Sequence, residues 1–301
     1  MLSTICFVIL ASGMAMESGT NAIVEPDSLQ QIAKDLQFTE GPVWKDGYLL
    51  FSDIPADTIY KWNPDGKLEK FRSPSGNSNG LTLDKQGRLI ACEHGNRRVS
   101  KTESDGTIKN IADKYNGKRF NSPNDVVVKS DGSIYFTDPP YGIQDEQREL
   151  DFQGVYRISP DGALTLVADD FDRPNGLVFS PDEKVLYIAD TARKHVKAFD
   201  VKPDGTLANG RIFADLSAEK VHGPDGMKVD VNGNLYITSG MVWIFDSAGK
   251  HSGDIAIPEP PANCAFGGAD YKTLFITART SVYKVQLKIP GISSIGLKAI
   301  N

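Results

Sequence analysis

A five-residue β-type run recurs six times along this 301-residue chain, and that recurrence limits the fold more than any other feature. It reads LLFSD at 49–53, LIACE at 89–93, IYFTD at 134–138, LYIAD at 186–190, LYITS at 235–239 and LFITA at 274–278. The second residues of these runs are 50, 90, 135, 187, 236 and 275, so the intervals are 40, 45, 52, 49 and 39. Ten to twelve residues before each of these points stands a second recurring element: EGP at 40–42, NGL at 79–81, PND at 123–125, PNG at 174–176, PDG at 224–226 and ANC at 262–264. After most of the runs, alternating segments flank an Asp-Gly step, as in IYKWNPDGKLEKF at 59–71 and VYRISPDGALTLV at 155–167, the pattern of a hairpin. About four short strands in roughly 45 residues is the period of a propeller blade. Six units predict an all-β chain folded as one six-bladed β-propeller. The sixth unit stops after VYKVQL at 282–287, so the segment 29–38 is expected to supply its missing strand and close the ring.

The composition agrees with that reading. Twelve of the 28 glycines directly follow Asp or Asn, in turn-forming dipeptides, which argues against long helices. The chain carries a formal charge of −6 and no dense Lys/Arg run, so nucleic acid is not an expected partner. The apolar run at residues 2–11 is too short to span a bilayer. Its position predicts a signal peptide over residues 1–22, with cleavage after Ala22 and a periplasmic or secreted product. No Lys or Arg precedes the run, and the competing reading is an N-terminal extension on a cytoplasmic protein whose true start lies downstream. The propeller is expected over 23–290 and a C-terminal tail over 291–301. Beyond the leader only Cys92 and Cys264 remain, which make no disulfide scaffold and read as small buried residues. The sequence sets no oligomeric state.

In register across the six units, the residue opening each innermost strand is Glu40, Asn79, Asn124, Asn175, Asp225 and Asn263. Innermost strands line the central channel, so these six face one axis. Asn and Asp are also good turn residues, and strand capping is the plainer reading. Glu40 is a poor turn residue, however, and the set contains only carboxylates and carboxamides. Oxygen donors without His or Cys describe a hard-cation site. Calcium suits it best, with magnesium, manganese or zinc as alternatives. The ion either keeps an open side for water and substrate or only clips the blades together. His195, His222 and His251 show no metal-ligand spacing.

These same stretches resemble the gluconolactonase, senescence-marker-protein and luciferin-regenerating-enzyme family. The resemblance rests on FTEGPVW at 38–44, NSPNDVVVKSDGSIYFTDPPYG at 121–142, DRPNGLVFSPDEKVLYIADT at 172–191 and HGPDGMKVDVNGNLYITS at 222–239, and it covers about residues 35–285. CEHGNRRV at 92–99 resembles the bacterial gluconolactonase branch in particular. The resemblance implies the six-bladed propeller and a divalent metal held by Glu40, Asn124, Asn175 and Asp225. In the animal branch an Arg two residues before the second ligand contacts the sugar lactone; here that position is Ser122, with Arg119 three residues further back.

The implied chemistry is hydrolysis of a sugar lactone, D-glucono-1,5-lactone first, with the cation polarising the carbonyl and Asp225 as the base, metal-bound hydroxide alone being the competing mechanism. Asn79, His94, Asn121 and Tyr141 are the expected substrate contacts. Asp53, Glu93, Asp138 and Asp190 are expected around the mouth, where the three aspartates can also serve as strand caps. No Gly-x-Ser-x-Gly elbow, His-Glu-x-x-His helix or phosphate loop offers another hydrolytic route. Two other readings stand beside this one. The first is a calcium- or ligand-binding propeller without turnover. The second is a quinone-dependent sugar dehydrogenase, which would call for a wider, basic mouth.

Overall fold

The computed structural model describes residues 23–219 and 222–294. The expected signal segment lies outside the described residues, as does residue 295 onward of the expected tail. Six four-stranded antiparallel sheets follow one another around a ring. Blade one is Thr39–Lys45, Tyr48–Asp53, Thr58–Trp62 and Leu68–Arg72, and blades two to five repeat the pattern. A two-stranded hairpin, Lys114–Tyr115 with Lys118–Arg119, links blades two and three. The only helical element among the described residues is a single 3₁₀ turn at Asp145–Gln147, and no described helix is long and apolar enough to cross a membrane.

The recurring five-residue run forms the second strand of every blade. These strands are buried along their whole length in blades two and five, Leu89–Glu93 and Leu235–Ser239, because a blade packs against a neighbour on each face. That is why the runs read as continuous apolar stretches and not as alternating ones. Outer strands such as Leu68–Arg72 keep contact with solvent. The core is divided accordingly into six apolar clusters, one at each junction between adjacent blades. Cys92 and Cys264 are free, buried thiols in two of these junctions.

Closure follows the expected route. Gln30–Ala33 pairs antiparallel with Ser281–Gln286 as the outermost strand of blade six. The link between that strand and blade one adds hydrogen bonds from Leu36 N to Thr280 O (3.1 Å) and from Thr39 N to Arg279 O (2.8 Å). At the C-terminal end, Gly291 bridges to Asp230, and Ile292 N donates to Val229 O (3.3 Å). The first residues of the expected tail therefore lie against blade five.

Candidate active site at the channel mouth

Each innermost strand begins at one end of the channel, and the residue opening it is aimed at the axis by local irregularity. In blades one, two and four the pairing register slips across Glu40, Asn79 and Asn175. In blades three and five regular pairing starts only after Asn124 and Asp225, at Val126 and Met227. Bulges of this kind re-aim side chains out of the sheet plane. The segments entering these strands are held from behind by the last residue of the second strand. Asp53 accepts from Gln37 N and Phe38 N (3.0 Å each). Asp138 accepts from Asn121 N (2.8 Å) and Ser122 N (2.7 Å), and Asp190 from Asp172 N (2.9 Å). These three aspartates are loop clamps. Glu93, their counterpart in blade two, is instead buried among Arg72, Arg98, Asn96 and Ser100.

Glycine follows the axial residue in four blades because the neighbouring blade comes too close for a side chain. A Cβ on Gly41 would lie 2.0 Å from Asn79 O, and one on Gly176 would lie 2.2 Å from Asp225 O. Blades three and six place Asp125 and Cys264 in this layer instead.

The axial side chains form two hydrogen-bonded arcs. Asn79 Nδ2 donates to Asn124 Oδ1 (2.6 Å), and Asn124 Nδ2 donates to Asn175 Oδ1 (2.6 Å). Asn175 Nδ2 donates to Thr191 Oγ1 (3.0 Å), whose hydroxyl donates to Pro224 O (2.8 Å), next to Asp225. Asn263 Nδ2 donates to Glu40 Oε2 (3.0 Å), which also accepts from Gly41 N (2.6 Å). Glu40, Asn79, Asn124, Asn175 and Asn263 are 3–5% exposed, so this mutual satisfaction is what makes them tolerable in the interior. Asp225 is half-buried.

The carboxylates are crowded. Burial, reinforced by Asp125, lifts the Glu40 carboxyl from its ordinary 4.5 to about 7. Burial and the charges of Glu40 and Asp125 raise Asp225 well above the usual range, while the Arg279 guanidinium lowers it. His94 Nε2 lies 3.2 Å from both Asn79 Nδ2 and Asn124 Oδ1, and burial lowers its pKa to about 4, leaving a neutral ring at pH 7. The Tyr141 hydroxyl lies near Thr191 and Asn175, and burial pushes it up to about 12, so it keeps its proton.

Seven of the eight residues that sequence reading named are thus brought to the mouth or its rim: Glu40, Asn79, His94, Asn124, Tyr141, Asn175 and Asp225. Asn121 is not. Its side chain is fully buried and donates to Asp138 O (3.1 Å) and Phe152 O (3.0 Å), because Asp138 draws its backbone in toward the blade. Four further residues join the site without having been named. Thr191 orients the Asn175 amide. Asp125 lies one layer deeper, with an Oδ2 that has no hydrogen-bond partner among the described residues. Lys228, which lines the cavity at the opposite end of the channel, acts on the site by charge and lowers the pKa of both Glu40 and Asp125. Arg279 lines a cleft of about 50 Å³ with Asp225, Phe38 and His222. Only Asp125 carried a usable signal, as a carboxylate where other blades place glycine.

A larger cavity of about 380 Å³ occupies the opposite end of the channel, lined by the far ends of all six innermost strands, among them Val43, Leu81, Val126, Leu177, Val229 and Phe266. Its walls are largely aliphatic and aromatic. The converging titratable groups are at the other end, and the chemistry is placed there.

The axial donor set fits a hard divalent cation. The carboxylates are short of positive charge, with Glu40 and Asp125 both raising the proton affinity of Asp225, and the surrounding donors are carboxamide oxygens. No three His, Cys, Asp or Glu side chains among the described residues gather into a preformed metal cluster. Glu40 and Asp225 can supply the charge, and Asn124 Oδ1 and Asn175 Oδ1, each accepting one bond from a neighbouring amide, can supply neutral donors through their second lone pairs.

Residues 38–280 match the model of the SMP-30/gluconolactonase/LRE-like region. The chain belongs to this family. It is 36% identical over 293 residues to the gluconolactonase of Zymomonas mobilis, covering 87% of this chain and 82% of that one. A regucalcin from Oryctolagus cuniculus is 29% identical, covering 79% and 82%. Among solved structures, a gluconolactonase from Xanthomonas campestris superposes with a TM-score of 0.82 at 37% identity, covering 90% and 93%. The calcium-binding protein regucalcin from Agrobacterium tumefaciens, with a TM-score of 0.74 at 18% identity over 87% and 94% of the two chains, shares the fold.

Proposed function

We propose that this protein is a lactonase that opens a sugar lactone, D-glucono-1,5-lactone first, to its hydroxy acid with the aid of one divalent cation, calcium in preference. The reading is carried by the convergence of Glu40, Asn175 and Asp225 at one end of the channel, in a chain 36% identical to a gluconolactonase along most of its length. Hydrolysis requires water to add to the lactone carbonyl, the bond to the ring oxygen to break, and that oxygen to take a proton. Asp225 accepts the proton of the attacking water. Burial and the neighbouring Glu40 raise its proton affinity above that of an ordinary carboxylate, which suits it to take up a proton. The protonated Tyr141 hydroxyl and the neutral His94 ring stand on the rim beside the carboxamides, suited to orienting sugar hydroxyls. A cation held by Glu40, Asn175 and Asp225, with Asn124, would polarise the carbonyl and offset the axial negative charge. Replacing Asp225 with Ala should lower turnover by about 10³-fold, the range expected for loss of a general base. Full metal-dependent activity in that variant would refute the assignment.

A further inference from the structure

The mouth carries a cation that the hydrolytic scheme does not use. Arg279 sits in the two-residue turn joining Thr273–Ala278 to Ser281–Gln286, where Ala278 pairs with Ser281. Its φ is +47°, a left-handed conformation that costs a branched or long side chain more than Gly or Asn. The turn is over-determined: Arg279 O accepts from Thr39 N (2.8 Å), Thr280 O accepts from Leu36 N (3.1 Å), and Thr280 N and Oγ1 both donate to Glu259 (2.9 Å each). The segment that ties it down is the one leading into Glu40. The Arg279 guanidinium lies 5.3 Å from the centroid of Phe38, two residues before Glu40, and lines the same cleft as Asp225. Among the described residues it has no ion-pair or side-chain hydrogen-bond partner, so its five donors are available. What sets Arg279 apart is an unpaired guanidinium held over an aromatic shelf, beside the reacting groups, by a turn tied down at both residues.

We propose that Arg279 is the recognition residue for a carboxylate at this mouth, and that the ligand it takes is a sugar acid of the aldonate class. A guanidinium presents a planar fork that matches both oxygens of a carboxylate, whereas a neutral lactone offers it no charge. A protein cation at the rim gives such an anion a charged partner beside the axial groups, whether or not the axial cation is present. The consequence is that the mouth distinguishes the opened acid from the lactone and retains the product. This rests on the proposed lactonase reading only in that an aldonate is its product; binding is measured without turnover, so the two can fail separately.

The test is calorimetric titration of calcium-loaded full-length protein with D-gluconate and, separately, with the neutral polyol D-glucitol. Wild type, R279Q and R279K are compared. R279Q should weaken gluconate binding about tenfold or more, as expected for loss of a charge-assisted bidentate contact, and leave glucitol within about twofold. R279K, which keeps the charge without the fork, should fall between, and salt should weaken gluconate binding much less in R279Q than in wild type. Gluconate binding without measurable lactone hydrolysis would support Arg279 while removing the lactonase reading. Failure of wild type to bind gluconate, unchanged gluconate affinity in R279Q, or equal loss of gluconate and glucitol would overturn the proposal.

Discussion

Replacing Glu40 with Gln removes one of the two axial charges and keeps the shape of the side chain. The carboxamide oxygen can still accept from Gly41 N and Asn263 Nδ2, so the local hydrogen bonds survive. The wild-type carboxyl titrates near its ordinary 4.5 when the chain is unfolded and at about 7 in the folded protein. The folded state therefore holds the proton more tightly. In metal-free protein the stability this contributes is fully present below pH 4.5 and is lost as pH rises to 7. The gap corresponds to on the order of 3 kcal/mol. Glutamine carries no such penalty. With chelator present, the variant should melt close to wild type near pH 4.5 and roughly 6–12 °C above it at pH 8, using about 2–4 °C per kcal/mol for a domain of this size. Calcium should reverse the order, stabilising wild type while leaving the variant little changed. Differential scanning fluorimetry at the two pH values, with and without calcium, reads all four states. A melting difference that does not depend on pH, or a variant less stable than wild type at pH 8 in chelator, would refute the crowded-carboxylate account.

Two further outcomes follow from the ring. Gly176→Ala should destabilise by about 1–3 kcal/mol and reduce turnover, because its Cβ would meet backbone at Asp225 O and at Gly226 Cα (2.8 Å), which cannot step aside; denaturant unfolding and a lactone assay check both, and a neutral substitution would contradict the packing. Removing the chain up to Ala33 should lower the melting temperature and promote self-association, since it uncovers the edge of Ser281–Gln286; an unchanged, monodisperse product would contradict closure by that strand.

Much of the architecture was legible in the sequence because a propeller repeats. Six copies of one apolar run give the blade count, and the missing outer hairpin after residue 287 points to the N-terminal segment that completes blade six. The axial set was legible for the same reason: equivalent positions in six units face one axis, and they hold only Glu, Asp and Asn. Legibility ended where direction depends on tertiary contact. Asn121 sits in the same stretch as Asn124, yet the Asp138 clamp turns it into the blade. Arg279 reaches the site only through ring closure, which joins segments more than 200 residues apart, as in the Thr39–Arg279 bond, and Thr191 is placed by its contacts with Asn175 and with Pro224 of the next blade. The glycines at 41 and 176 read as turn residues in the sequence. Their decisive property is the close approach of the next blade, which no local pattern records.

The central claim is that the axial ring opens a lactone with the help of a divalent cation. Acid release from D-glucono-1,5-lactone, followed in a pH-stat with purified protein, tests it directly. The account predicts a rate above spontaneous hydrolysis that chelator abolishes and calcium restores. A rate equal to the spontaneous one in calcium, or an enzymatic rate unaffected by thorough chelation, would contradict it.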